Sequence, residues 1–263
     1  MNPLITVVTA TRTGTHLMDC IHSVRAQTYP FVEHLIIIDK NYDLIHYEDR
    51  WKQINSGIRV VVLDDVPEDM FVNARIGALY NRGFDMGLGE YLARVDDDNT
   101  IESNHLEALY ETIRLGGYDA AYSWRHMWTR DGQPYHEPLL PWHSFLNPDR
   151  GRYLYRIWEE AGIVTPGSHI YKDQLQASYQ GFPFSTVDAS EWLYSRELLK
   201  KVRFTEKVNY WQILYDWSDD DMLSLDFIKS GFRAGCSELP TLNYFLGGHS
   251  NSNIVEENGI AFF

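Results

Sequence analysis

Read along the chain, apolar positions alternate between two periods. An apolar, β-branched run at residues 4–9, a near-continuous apolar run at 35–38, and further runs at 58–63, 91–95 and 120–124 predict strands, those at 35–38 and 58–63 buried. Between them, residues 15–27 (Leu17, Ile21 and Val24 at helical spacing), 44–54, 72–88 and 106–115 predict amphipathic helices. Strands alternating with helices imply parallel pairing, so the first half predicts a doubly wound α/β sheet flanked by helices. In such sheets ligands collect beyond the carboxyl ends of the strands. Residues 9–11, Asp39, the pair Asp64 and Asp65, and the run 96–98 all follow predicted strands and so share one edge.

From residue 125 to 184 the periodicity is lost, and Trp, Tyr, His and Pro accumulate. Two readings stand: an ordered excursion packed on the core, or a platform of aromatic faces for a sugar. Regularity returns in a strand at 187–194, a short helix to Val202, and a helix over 219–230 stopped by Gly231. The expected organisation is one domain over 1–263, with a ligand-binding half at 1–124 and a second half at 125–263.

Composition narrows the chemistry. An apolar fraction of 44% supports a large core. With 37 Asp and Glu against 23 Lys and Arg, the net charge is −14, which argues against a nucleic-acid partner or an anionic lipid surface. Two cysteines, Cys20 and Cys236, make neither a disulfide framework nor a four-ligand zinc site. The start MNPLITVVTAT lacks the features of a signal peptide, and no apolar run approaches the ~18 residues of a transmembrane helix. A cytoplasmic location is the expectation.

The sharpest chemical signal is Asp96-Asp97-Asp98 at a strand end. Three successive carboxylates repel one another, and a hard divalent cation, Mn²⁺ or Mg²⁺, supplies compensation. Period-two geometry lets Asp96 and Asp98 face one side while Asp97 points away. The competing reading is a solvated turn capping the next helix through Asn99 or Ser103. A second triplet, Asp219-Asp220-Asp221, opens the last helix, where the dipole stabilises carboxylates and one of them is available as a general base. No P-loop, no complete G-x-G-x-x-G, no nucleophile elbow and no H-E-x-x-H occurs. His249, on a Gly-rich loop, is a candidate metal ligand.

Taken in order, these stretches resemble glycosyltransferase family 2 with its GT-A fold. ITVVTATRTG is similar to the first strand and nucleotide-binding turn, and LIIIDK to the second strand with its terminal Asp. NRGFDMGLGEYLARVDDDN resembles the approach to the metal-binding DxD motif, VDASEWLYSRELLKKVRF the acceptor-side strand and helix, and SDDDMLSLDFIKSGF the helix carrying the catalytic carboxylates. The likeness is to bacterial polysaccharide and spore-coat transferases, over roughly residues 4 to 235.

The resemblance implies Thr9, Thr11, Asp39, Arg75, Asp96 and Asp97 around the nucleotide, and Asp98 and Asp96 at a Mn²⁺ or Mg²⁺ ion, to which the loop residue His249 is a further candidate ligand by its position. It implies Asp220 as base beside Asp219, and Asp188 and Glu191 at the acceptor. It also implies an inverting, metal-dependent transfer from a nucleotide-diphosphate sugar, UDP-sugar ahead of GDP or dTDP, to a glycan hydroxyl. The departures are Ala10 for the usual Pro, Lys40 for a second Asp, Tyr80 for the Arg of an Arg-Asn pair and Asp219 for Glu. Two other readings are a sugar-nucleotide nucleotidyltransferase and a catalytically silent nucleotide- or glycan-binding relative.

Overall fold

A computed structural model of the chain describes residues 2–12, 16–39, 57–67, 69–143, 147–214 and 218–248. Strand β1 (Ile5–Thr11) leads to α1 (Leu17–Arg25), β2 (Val32–Asp39), β3 (Ile58–Leu63), α2 (Val72–Met86), β4 (Tyr91–Arg94) and β5 (Thr100–Ile101). Then come α3 (His105–Gly116), β6 (Ala120–Trp128), α4 (Pro148–Glu160), β7 (Ile170–Tyr171), β8 (Ala177–Tyr179) and β9 (Phe182–Phe184). The chain continues through β10 (Trp192–Ser195), α5 (Arg196–Leu199), α6 (Tyr210–Leu214), α7 (Asp219–Ser230) and β11 (Ala234–Phe245). The predicted helix at 44–54 falls outside the described residues.

The main sheet runs β3-β2-β1-β4-β10-β6-β11-β5, with β7 added to β6. The ladders β3-β2, β2-β1, β1-β4 and β6-β11 are parallel, whereas β10 is antiparallel to both β4 and β6. Both halves of the chain therefore build one mixed sheet. The winding steps outward from β1 to β2 and β3 and then returns to β4 on the other side, so the switch point lies between β1 and β4. That is where an open α/β sheet leaves a crevice for ligand.

Local sequence explains these elements. Leu17, Cys20, Ile21 and Val24 give α1 one buried stripe, and Leu17 and Ile21 pack on Ile36 and Ile38 of β2. On the opposite face α2 lies close against β1. A Cβ on Gly83 would overlap Val8 Cγ1, so only glycine permits that approach, which brings Tyr80 to the end of β1. Among the described residues the strand predicted as buried at 58–63 stands at the end of the sheet order, and Val60 and Val62, which share one face, are exposed. The run 187–194 divides into a 3₁₀ turn over Ala189–Glu191 and then β10.

The aromatic excursion is largely structural. Tyr135, Tyr155, Tyr171 and Tyr244 form a cluster with Trp142 and Trp158, whose indole rings lie 6.1 Å apart. It also holds a helix that periodicity did not show. Asn147 caps α4 by accepting from the amides of Asp149 (3.0 Å) and Arg150 (3.3 Å), and Pro148 occupies the first turn. Among the described residues no helix is long and apolar enough to cross a membrane.

Candidate active site

At the β1-β4 switch the two acidic triplets meet through a cation, Arg94. It ends β4 and is buried, its guanidinium 4.1 Å above the Tyr80 ring and 5.3 Å from that of Phe204. Nε donates to Asp96 Oδ1 at 2.8 Å and Nη2 to Asp96 Oδ2 at 3.1 Å, while Nη1 donates to Asp219. One guanidinium thus ties the strand-end triplet to the helix-start triplet.

Each carboxylate of the first triplet has a different environment. Burial would raise the Asp96 carboxyl, but Arg94 and the Tyr80 hydroxyl, which donates at 2.5 Å, hold it below the ordinary range. The amide of Asp96 donates to Ser190 Oγ at 3.2 Å. Asp97 turns the other way and accepts from Thr11 Oγ1 at 2.5 Å; burial pushes it up to about 6. Asp98 is pushed up to about 8, by burial first and then by the charges of Asp96 and Asp97. No salt bridge to Asp98 forms among the described residues. Gly248 packs on it so closely that a Cβ there would collide with Asp98 Oδ2. His249 lies outside the described residues.

In the second triplet, Ser218 caps α7 by accepting from Asp221 N at 3.2 Å. Asp220 is raised well above the ordinary carboxylate range, by burial and then by Asp221, Asp219 and Asp188. The Tyr194 hydroxyl is buried without a hydrogen-bond partner among the described residues, in the field of Arg94, Asp220, Asp219 and Asp188. Asp188 lies 3.5 Å from Arg125 and keeps some exposure, whereas Glu191 is fully buried. Glu191 therefore lies in the interior behind the turn that carries Asp188.

The nucleotide-side candidates divide. At the end of β2 the buried Asp39 is gripped by Arg75, Nε donating to Oδ2 at 2.7 Å and Nη2 to Oδ1 at 2.5 Å. Arg12, half exposed, adds a bond of 3.1 Å. Burial would raise Asp39, but these guanidinium hydrogen bonds hold it below the ordinary range. Arg75 also donates to Pro67 O. Thr9 is fully buried, its hydroxyl 3.0 Å from His34 Nε2 and 3.6 Å from Cys20 Sγ, so it faces the interior under the edge. Thr11, bonded to Asp97, is the threonine at the edge.

Arg94, Arg12, Arg125 and Tyr194 are not singled out by the sequence, because their roles rest on the partners and burial that the fold gives them. The available signal was position: Arg94 sits two residues before Asp96 on the same strand face. Tyr80, read as a departure, takes a role of its own by donating to Asp96 and accepting from Ala10 N at 3.3 Å. Among the described residues no three His, Cys, Asp or Glu side chains form a ready-made metal cage.

Known proteins share this framework. The fold is similar to S. aureus TarS 1-349 in complex with UDP (TM-score 0.55, 14% identity, covering 92% of this chain and 60% of that one). It is equally similar to the same protein in complex with UDP-GlcNAc (TM-score 0.56, 16% identity, 96% and 62%). The architecture is thus the GT-A fold. In sequence, the chain is 26% identical over 116 residues to glycosyltransferase GlyG of Streptococcus pneumoniae serotype 4, a match spanning 43% of this chain and only 36% of GlyG. The Glycosyl transferase family 2 model matches residues 6–203, and with that span the chain belongs to glycosyltransferase family 2.

Proposed function

We propose that the protein transfers a sugar from a nucleotide diphosphate donor to an acceptor hydroxyl, with inversion at the anomeric carbon. The observation that carries this reading is Arg94, which holds the Asp96–Asp98 and Asp219–Asp221 clusters at one sheet edge. Membership of the family supports it. The TarS complexes with UDP and UDP-GlcNAc support a uridine donor over GDP or dTDP.

The residues fit a hard cation. Asp98 offers an oxygen ligand with no salt-bridge partner among the described residues, and such ions are bound by one or two carboxylates together with substrate phosphates rather than by full protein cages. Asp98, with Asp96 beside it, would hold Mn²⁺ or Mg²⁺, whose chemistry is to neutralise the diphosphate and stabilise it as a leaving group. Asp220 takes the proton from the attacking hydroxyl, and burial with the charges of Asp221, Asp219 and Asp188 raises its affinity for that proton. Asp188 orients the acceptor. Arg94 and Tyr80 keep Asp96 ionised and aimed. Thr11 with Asp97, and the Asp39, Arg75 and Arg12 group, shape the nucleotide side.

The test is a panel of UDP-, GDP- and dTDP-sugars, and in parallel the matching nucleoside triphosphates with sugar phosphates, assayed with Mn²⁺ and with EDTA, with nucleotide products identified. The expected result is release of a nucleoside diphosphate that stops on chelation. Release of pyrophosphate from a nucleoside triphosphate would establish the nucleotidyltransferase reading instead. Transfer that is indifferent to EDTA would remove the metal. Melting-temperature shifts with UDP, alone and with Mn²⁺, read the same site without turnover, and a shift no larger with the metal would count against Asp98 as its ligand.

A further inference from the structure

Behind the acceptor edge, one guanidinium faces three carboxyl groups. Arg125 of β6 is buried; its Nη2 donates to Asp173 Oδ1 at 3.2 Å and to Thr186 O at 3.3 Å, and its Nη1 lies 3.5 Å from Asp188 Oδ2. Glu191 Oε2 accepts from the amide of Asp188 at 2.9 Å, and Asp188 Oδ1 accepts from the amide of Ser190 at 2.9 Å, closing a reciprocal capping box. The two oxygens left over, Glu191 Oε1 and Asp173 Oδ2, are buried, and neither has a donor while both acids are ionised. Three carboxylates against a single guanidinium would also leave the site with negative charge in excess. A buried site of that kind neutralises itself by taking up a proton. One proton between Glu191 and Asp173 removes the missing donor and reduces the excess charge together.

We propose that Glu191 is a neutral carboxylic acid at working pH, donating its proton to Asp173, and that this acid pair positions the Asp188–Ser190 turn at the reaction edge. The groups facing the pair, Glu191 on the turn and Asp173 beyond β7, are Arg125 and Tyr122 from β6, Tyr171 from β7, Asp188 on the same turn as Glu191, and Cys236 from β11. Both carboxyls are raised, by burial before any other cause, and Glu191 is raised further because Asp173 stands against it. The turn so held places Ser190 Oγ on the Asp96 amide and Asp188 within the field of Asp98 and Asp220. Glu191 is thus a positioning residue. Its effect on transfer rests on the function proposed above; its protonation does not.

Two measurements separate these. In protein labelled with ¹³C at glutamate carboxyls, one signal is expected to keep the protonated chemical shift near neutral pH and to be missing from E191Q. A wild-type spectrum with every glutamate ionised near neutral pH would overturn the proposal, whether or not any variant folds. In kinetics, E191Q mimics the acid, its amide donating to Asp173 and its carbonyl accepting from Asp188. It is expected to keep kcat within about threefold of wild type, whereas E191A loses about 10- to 100-fold in kcat with donor KM unchanged. A folded E191Q that loses as much as E191A, or an E191A with wild-type kcat, would overturn the positioning role. If wild-type protein transfers from no donor, the transfer reading fails while the carboxyl spectrum still decides the proton.

Discussion

Replacing Arg94 by Met tests the clamp between the two acidic clusters. Methionine keeps an unbranched apolar stem against Tyr80 and Phe204 but removes the cation that faces Asp96 and Asp219. Arg94 is 5% exposed, and its two partners' side chains are 27% and 9% exposed, so neither carboxylate is rehydrated freely when the guanidinium is lost. Breaking a buried ion pair by removing one partner costs about 3–5 kcal/mol. Loss of the guanidinium–Tyr80 contact adds about 0.5–1 kcal/mol, which the methionine thioether partly restores. The expected loss is therefore about 3–5 kcal/mol, read by urea unfolding, or a melting temperature lower by about 6–20 °C for a domain of this size. A second variant checks the cause. In R94M/D219N one orphaned charge is gone, so the pair should be less destabilised than R94M plus D219N summed, by about 0.5–3 kcal/mol. An R94M protein within about 1 kcal/mol of wild type would refute the reasoning, because both carboxylates would then have to be compensated by something other than Arg94.

Three further outcomes are expected. Asp39→Asn leaves Arg75 buried without its carboxylate and should cost about 3–5 kcal/mol near neutral pH. Because the folded Asp39 carboxyl lies below its ordinary 3.8, the wild-type advantage is complete above that value and fades as pH falls through the folded one; a difference that persists unchanged in acid would contradict the pairing. Asp220→Asn should lower kcat by about 10²–10⁴-fold with nucleotide affinity retained, and titration calorimetry showing lost nucleotide binding would argue against its role as a base. Gly248→Ala drives a methyl into Asp98 Oδ2, so the Mn²⁺-dependent part of the UDP-induced thermal shift should shrink while the metal-free shift remains.

Much of the site was readable because strand ends and helix starts are local features. Strand-like runs followed by carboxylates placed Asp39 and Asp96–Asp98 at one edge, and the acidic start and glycine stop bounded α7 at 219–230. Local pattern could not distinguish β10, which inserts antiparallel between β4 and β6, since four residues carry no direction. The helix α4 was missed although Asn147-Pro148-Asp149 is a start signal, because its exposed face left only Gly151 and Tyr155 buried and so gave no apolar period. Thr9 and Thr11 look equivalent in sequence, two residues apart on one strand. Only the neighbours reveal that one bonds His34 under the sheet and the other bonds Asp97 at the edge.

The order of residues alone settles which chemistry is available: an alternation that builds a doubly wound sheet, and two carboxylate triplets at the positions where such a sheet meets ligand. Packing in three dimensions settles what each carboxylate is. Asp96 and Asp219 share Arg94, Asp39 is locked to Arg75, Asp98 has no salt bridge among the described residues, and Glu191 lies buried against Asp173. Those differences depend on partners as far away in the chain as Asp219 is from Arg94, or on burial itself, as where the sheet closes over Glu191. The proton affinity of an acid is set by such neighbours and by its distance from water, and neither is written in the residue's own letter.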